Sequence, residues 1–517
     1  MSSMDIVLLV FDTLRADHLS GYGYPRATSP WWDKTAAGAT VYKQAISPAH
    51  WTLPAHASLF TGLYPSQHTM VDMNSALPST IPTLAERLRQ AGYATIAISN
   101  NPLIGTQRNG LQRGFERIEN YSFMRFTLWN AHLNPPRATH PSLRGQIKQL
   151  RGKLAHWMGY DGTTPVWPWN ILQPLMETGL KKFGGEKYRN TQHSLDLAAH
   201  LLINRPQIGA RPLFLFINLM GAHTPYEPPA WALKDFVAAP DAQILRKLLH
   251  TTNLMQLDPA NWLAAPWSDG DALVGLNAVY DAEVAAQDRC FGDFVTQLQT
   301  SGVSDRTLLI ATSDHGEHLG EKQRLSHIFG AYQPLVHVPL LIRNPQDDVA
   351  AGEKVEAFVS TRRLFHTILS AANTATPTEQ SFSLIRSKCV DSDLVLDAEP
   401  EFNQAFSEAI APATLTPRLE VRRPGIIAAH HYEQPVRAIF AGDHKLIDYN
   451  GHHAELYTVR TDTAESHDLA TYLPDRTVQL NDALWNFVGQ YPPLAPSTET
   501  LTDVEVTKRL RMLGYLE

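Results

Sequence analysis

Short apolar runs bounded by polar residues recur along the chain: "DIVLLVF" (5–11), "YATIAIS" (93–99), "PLFLFIN" (212–218), "RTLLIATS" (306–313) and "HVPLLIR" (337–343). They are nearly continuous in hydrophobicity rather than alternating, the pattern of strands buried on both faces. Stretches with helical spacing separate them, such as "IPTLAERLRQAG" (81–92) and "AVYDAEVAAQDRCFGDFVTQLQ" (278–299). Buried strands alternating with helices predict an α/β protein with a mainly parallel central sheet flanked by helices. In such a sheet ligands bind beyond the carboxyl ends of the strands. That rule singles out Asp12 after the first run, Asn218 and His223 at and after the third, and Asp314 with His315 after the fourth. Asn100 and Asn101 follow the second run, where ligand contact and turn chemistry explain them equally well.

The pattern changes after "VSTRRLFHTILSAAN" (359–373), which reads as the last helix of this body, and the polar stretch "TATPTEQSFS" (374–383) reads as a linker. Beyond it "RAIFAGDHKLIDYNGHHAELYTV" (437–459) alternates like an antiparallel hairpin with "NG" at the turn, and a helix begins near "TVQLNDALW" (477–485) before a Pro-rich, extended end. The expected organisation is a catalytic domain over 1–375 and a smaller C-terminal α+β subdomain over 376–517. Residues 121–190 fit neither pattern: they hold Trp129, Trp157, Trp167 and Trp169, and ten Lys or Arg against three Asp or Glu. Two readings stand, a helical surface insertion whose tryptophans pack on the main body, or a cationic, aromatic lid that selects an anionic substrate.

Composition narrows the class. At 517 residues, 44% hydrophobic and 18% charged, the chain has core material for one large and one smaller domain. A net charge of −7 with no long run of one sign gives no reason to expect nucleic acid as a partner. Cys290 and Cys389 lie far apart and read as free thiols. The apolar run at the N-terminus has no basic segment before it, and no stretch is long enough to span a bilayer. The expectation is a cytoplasmic protein with no membrane span; a homo-oligomer is compatible with this composition.

The candidate chemistry starts at "SDHGEHLGE", where Asp314 and a neutral His315 offer an oxygen and a nitrogen to one cation. A capped strand end explains such a pair as well, but Asp12 adds a second carboxylate at the same sheet edge. Two carboxylates there repel each other unless a cation lies between them. In "WTLPAHASLFTG" (51–62), Thr52 and Pro54 read as a turn entering a helix, with the Thr52 hydroxyl at the helix N-terminus. Thr52 is then an N-cap or, activated by a bound cation, a nucleophile. His56 either packs within that helix or takes part in catalysis. Arg15 and Asp17 read as a structural pair beneath the site, and His18, His68 and His318 as supporting or surface residues.

"DTLRADHLSGYG", "TLPAHASLFTGLYPSQH", "LMGAHTPYEPP", "YDAEVAAQD", "TSDHGEHLGE", "HVPLLIR" and "HKLIDYNGHHAELYTVRTDTAESHDLA" occur in this order. In that order and over nearly the whole chain they resemble the sulfatase branch of the alkaline phosphatase superfamily, which implies an alkaline phosphatase-like fold and ester hydrolysis at a metal site. Four positions depart from the sulfatase pattern. Thr52 stands where sulfatases carry the Cys or Ser that becomes formylglycine, and threonine cannot form that aldehyde. His56 stands where they carry Arg, Thr13 where they carry a second Asp, and His327 where they carry the active-site Lys after "DHGE".

These departures resemble the branches that use threonine directly: nucleotide pyrophosphatases/phosphodiesterases, phosphoethanolamine transferases and lipoteichoic acid synthases. The resemblance implies a single metal site of Asp12, Thr52, Asp314 and His315. It also implies that His223 contacts the transferred group or leaving oxygen, and that His327 serves the anion or a second ion. A complete second site is not expected, because "SDGDALVGLNAVYDAEVAAQDRCFGDF" lacks the histidine it needs. A ligand set with nitrogen and few oxygens favours Zn2+, with Mn2+ and Ca2+ as alternatives. The expected activity is hydrolysis of a small anionic phosphoester, a diester or a phosphonate or phosphate monoester, with Thr52, His223, His327 and His56 catalytic and Asn100, His223 and His327 binding substrate. The alternatives are sulfate-ester hydrolysis without formylglycine, and transfer of the phospho group to an alcohol or sugar.

Overall fold

A computed structural model describes residues 4–105, 108–121, 186–205, 211–238, 242–264, 270–346, 352–385, 401 and 403–492. The readings made for the tryptophans and the lid of 121–190, and for the extended end beyond 492, lie outside these residues. Fourteen strands are present among them: β1 (Asp5–Phe11), β2 (Thr40–Ile46), β3 (Ala94–Ser99), β4 (Arg117–Asn120), β5 (Leu213–Leu219), β6 (Thr307–Ser313), β7 (His318–Leu319), β8 (Leu325–Ser326), β9 (His337–Arg343), β10 (Lys354–Ser360), β11 (Gln404–Ala409), β12 (Val436–Ala441), β13 (His444–Asp448) and β14 (Ala454–Thr458). Eight form one sheet in the order β10-β2-β9-β6-β1-β5-β3-β4, parallel except for β9. The mainly parallel α/β sheet expected from the apolar runs is thus present.

Register explains where the functional groups end up. Phe11 lies beside Leu219 on one side and Ser313 on the other, and Ser99 lies beside Asn218. The residues that follow, Asp12 and Asp314 among them, therefore leave the sheet along one line. β1, β5 and β6 are buried along their whole length, so this line is held by core packing and not by loop chemistry.

The run His337–Arg343 looks like its neighbours in sequence, yet β9 is antiparallel to both β6 and β2. A continuous apolar run reports burial on both faces and carries no direction. The chain leaves β6 and re-enters β9 at the same end of the sheet, so residues 314–336 form one long excursion over the site and carry His315, Glu317 and His327. β2, β4 and β10 carried no clear sequence signal because polar residues such as Lys43, Gln44, Lys354 and Glu356 interrupt their apolar pattern.

The segment read as a linker is tied down. Within it Pro377–Gln380 forms one helical turn capped by Thr376, and Glu379 pairs with Arg87 of the main body at 2.9 Å. β11 to β14 form a separate antiparallel sheet in sequence order. The helix Pro474–Gln490 packs on it through Leu480, Leu484 and Phe487, against Phe406, Ile439 and Leu456.

One buried ion pair joins this sheet to the excursion over the site. Lys445 on β13 and Glu465 are 0% and 1% exposed and meet at 2.5 Å. Glu465 Oε2 accepts from the Gln333 amide at 2.8 Å, and its carbonyl accepts from Lys322. Replacing Lys445 with Ala leaves a buried, unpaired carboxylate and should cost about 3–5 kcal/mol, whereas Lys445→Met with Glu465→Gln should cost much less. Urea unfolding of the two variants checks this; equal losses would show that burial of the lone charge is not the cause.

Candidate active site and metal centre

Asp12, Asp314 and His315 converge at the carboxyl ends of β1 and β6, fully buried, with one donor atom from each within 4.8 Å of the others. His315 Nε2 lies 3.3 Å from Asp314 Oδ2 and 3.7 Å from Asp12 Oδ1. His315 Nδ1 meets the Gly316 carbonyl at 2.8 Å, so it must carry the proton and Nε2 presents a bare lone pair. Thr52, first residue of the helix Thr52–Thr61, places its Oγ1 3.2 Å from that nitrogen. All four predicted ligands are therefore together.

The far oxygens of the carboxylates are accounted for. Asp12 Oδ2 accepts from Asn101 Nδ2 at 2.8 Å, and Asp314 Oδ1 accepts from the backbone amides of His315 at 2.9 Å and Thr13 at 3.3 Å. The near oxygens, Asp12 Oδ1 and Asp314 Oδ2, are buried and accept no hydrogen bond. Burial pushes Asp12 up to about 6 against the pull of Asn101, and burial followed by the charge of Asp12 pushes Asp314 well above the usual carboxylate range. Burial also holds His315 well below its ordinary value. Two orphaned carboxylate oxygens and a bare imidazole nitrogen facing one another fit a divalent cation.

Local sequence fixes this geometry. Gly316 is required because a Cβ there would lie 2.0 Å from the Pro334 carbonyl oxygen, and its amide donates to Leu335 at 2.7 Å. Thr13, which stands where the sulfatase pattern carries a second Asp, has φ +61° and bonds its hydroxyl to the Asp12 carbonyl at 2.7 Å, so only its backbone faces Asp314. Tyr280 holds this turn, donating to the Thr13 carbonyl at 2.7 Å and accepting from the Arg15 amide at 3.0 Å. Arg15 pairs with Asp17 at 2.7 Å and Glu321 at 2.6 Å.

His56 is fully buried one turn beyond Thr52. Its Nδ1 donates to the Thr52 carbonyl at 2.9 Å and lies 3.4 Å from Asp314 Oδ2, while Nε2 accepts from Asn218 at 3.3 Å. Burial lowers it to about 4, so it stands beside the site as a neutral ring. His327 bridges the remaining histidines, its ring 4.7 Å from that of His315 and 4.9 Å from that of His223. Burial, then the charges of His327 and Lys187, keep His223 well below its ordinary value.

Asn100 does not join this group: its Oδ1 accepts from Ser194 at 2.9 Å, and the neighbouring Asn101 is the one that reaches Asp12. His18, His68 and His318 are all buried, so none is a surface residue. Sequence reasoning also missed Glu317 and Tyr226. His327 Nδ1 meets Glu317 Oε1 at 3.0 Å, and Tyr226 donates to Glu317 Oε2 at 2.6 Å, which fixes the His327 ring from behind. Glu317 stands in "SDHGEHLGE" and Tyr226 in "AHTPYEPP". Both segments were legible as motifs, but nothing along the chain says that the two meet.

The family model described as Sulfatase matches residues 4–374. Arylsulfatase K of Xenopus laevis is 24% identical over 327 residues, which are 63% of this chain and 54% of that protein. The multifunctional alkaline phosphatase superfamily protein PehA of Trinickia caryophylli is 24% identical over 405 residues, 73% of this chain and 75% of that protein. Among solved structures, phosphonate monoester hydrolase of Agrobacterium radiobacter superposes with a TM-score of 0.62 at 18% identity, covering 97% of this chain and 99% of that one. At that identity the likeness concerns the fold alone. No helix among the described residues is long and apolar enough to cross a membrane.

If a divalent cation relieves the carboxylate clash, Zn2+ or Mn2+ at about 100 times its Kd should stabilise the chelator-treated protein by about 2.7 kcal/mol. Asp12→Asn and Asp314→Asn should lose that gain while unfolding, without metal, no earlier than the parent. Thermal melts with and without metal decide it, and a metal-induced rise that survives in Asp314→Asn would refute the site.

Proposed function

The chain belongs to the sulfatase family, and from that premise we propose that it is a metal-dependent phosphoester hydrolase whose nucleophile is Thr52. The observation that carries the reading is Thr52 itself. A residue that cannot become formylglycine sits 3.2 Å from His315 Nε2, inside the buried group of Asp12, Asp314 and His315. Those four residues would hold the cation, Zn2+ favoured, which when bound supplies positive charge and lowers the pKa of a hydroxyl.

The chain's own residues supply the rest. Thr52 gives up its hydroxyl proton to solvent and its Oγ1, at the N-terminus of a helix, attacks phosphorus in line; a P–Oγ bond forms as the bond to the leaving oxygen breaks. His223 and His327 flank the group being transferred, and the leaving oxygen takes its proton from His327, the ring held at Nδ1 by Glu317. Water then attacks phosphorus, giving a proton back to that ring, and the P–Oγ bond breaks as Oγ1 takes a proton from solvent, which returns Thr52. Asn218 and the Thr52 carbonyl hold His56 as a neutral packing group beneath the nucleophile.

The family itself favours a second reading, a sulfate ester as substrate. A sulfo-threonine could leave only by attack of water at sulfur, because the elimination available to a formylglycine hydrate is closed to it. Methyl p-nitrophenyl phosphate, p-nitrophenyl phosphate and p-nitrophenyl sulfate should be assayed side by side. The phosphoesters should turn over faster than the sulfate. Thr52→Ala should lower phosphoester turnover by about 1,000-fold or more while the three remaining ligands keep part of its metal-induced stabilisation, and Thr52→Ser should retain part of the rate. An Ala variant as fast as the parent would exclude Thr52 as nucleophile.

A further inference from the structure

The described edge of the basic segment 121–190 places a charge against the His223–Pro225 turn. Lys187 lies in the first turn of the helix Glu186–Ile203, half-buried. Its ammonium donates to the carbonyl oxygens of His223 and Pro225, which uses two of its three N–H groups.

Among the described residues, no carboxylate lies within ion-pair distance of Lys187. Acids stand further off: against the burial that depresses the ammonium act Glu283, Glu227, Glu317 and Asp12, in falling order. Three of these are engaged elsewhere. Glu283 accepts from the Glu227 amide at 2.5 Å, Glu317 from His327 and Tyr226, and Asp12 from Asn101. Carbonyl oxygens retain an ammonium without cancelling its charge.

The other basic groups here are accounted for. Arg15, buried beneath the site, is committed to Asp17 and Glu321. His56 and His315 turn Nδ1 to the Thr52 and Gly316 carbonyls at 2.9 and 2.8 Å, His223 turns Nδ1 to the Thr224 carbonyl at 2.5 Å, and His327 pairs with Glu317 at 3.0 Å. A transferred phosphoryl group carries charge on its nonbridging oxygens throughout the reaction and needs fixed positive charge beside it.

We propose that Lys187 is an anion-binding residue of this site, giving its third N–H and its charge to a nonbridging oxygen of the tetrahedral group that Thr52 attacks. The proposal rests on the phosphoester reading for the identity of that group. It gives the cationic segment a concrete part: the charge that selects an anion enters at the start of the helix following it, from behind the His223 turn.

The test uses the full, metal-loaded chain titrated calorimetrically with inorganic phosphate and, separately, with inorganic sulfate. Lys187→Met should weaken phosphate binding about tenfold or more, the scale of one charge-assisted hydrogen bond. Lys187→Arg should restore most of it, and both variants should keep the metal-induced rise in Tm. His223→Ala, alone and combined with Lys187→Met, separates touching the anion from merely holding the His223 turn. The double variant should bind phosphate more weakly than His223→Ala by the same factor. If the double variant matches His223→Ala, or Lys187→Met binds phosphate as the parent does, the proposal falls while the phosphoester reading stands. Binding of sulfate but not phosphate overturns the phosphoester reading, and the same variants then judge Lys187 on sulfate. A parent that binds neither anion overturns the Lys187 proposal.

Discussion

Two carboxylates forced together without water are the constraint on which the rest of this structure depends. The register of β6, β1 and β5 sends Asp12 and Asp314 off the sheet side by side. Burial denies them the solvent that would screen them, and one oxygen of each has no donor. Folding concentrates unfavourable electrostatics at one point, and the cost is offset only when something positive arrives. The neighbouring groups fit that logic. Asn101 and two backbone amides satisfy the outer oxygens, so that the inner ones stay aimed at a common centre. The Gly316 carbonyl takes the His315 proton, so that the ring offers a lone pair to the same centre.

The C-terminal sheet belongs to this same system and is more than an appendage. Residues 314–336 leave and re-enter the sheet at the site end, and an excursion of that length needs support from outside. Glu465 supplies it by accepting the Gln333 amide while bound to Lys445, and the ring of Tyr432 lies 5.1 Å from Phe329. His327, within that excursion, is then fixed from both sides. Glu317 and Tyr226 hold its Nδ1 edge, and its ring lies between those of His315 and His223.

How much of this was legible in the sequence depended on whether the determining contacts were local. Continuous apolar runs predicted the sheet, and strand-end polar residues predicted Asp12, Asp314 and His315, because apolar runs and strand termini are properties of a few consecutive residues. The direction of β9 was not legible, since its apolar pattern is the same for either direction. Asn100 and Asn101 were indistinguishable as neighbours in a string, and one backbone step decides that one faces Ser194 and the other Asp12. Glu317, Tyr226 and Lys187 were hidden for a different reason. Tyr226 and Lys187 act on residues brought to them by the fold, at separations of 91 and 36 positions, and Glu317 meets His327 ten positions on within the excursion; no periodic pattern encodes such meetings.

Thr13 and Thr52 show why the departures from the sulfatase pattern belong together. At position 13 a β-branched residue is held at φ +61°, a backbone conformation that such residues rarely adopt and that costs on the order of 1–3 kcal/mol. Tyr280 and the Asp314 carboxylate hold it there. The turn is kept although its side chain faces the Asp12 carbonyl and offers the centre nothing. A centre deprived of that oxygen has one negative charge fewer and gains most from a ligand that can itself become anionic. The Thr52 hydroxyl would be such a ligand, whereas an aldehyde hydrate needs prior oxidation of a Cys or Ser, and position 52 carries neither. With Thr52 as the proposed nucleophile, a threonine at position 13 and a hydroxyl at position 52 are two sides of one charge balance. On the proposed reading, that balance directs the site toward phosphorus.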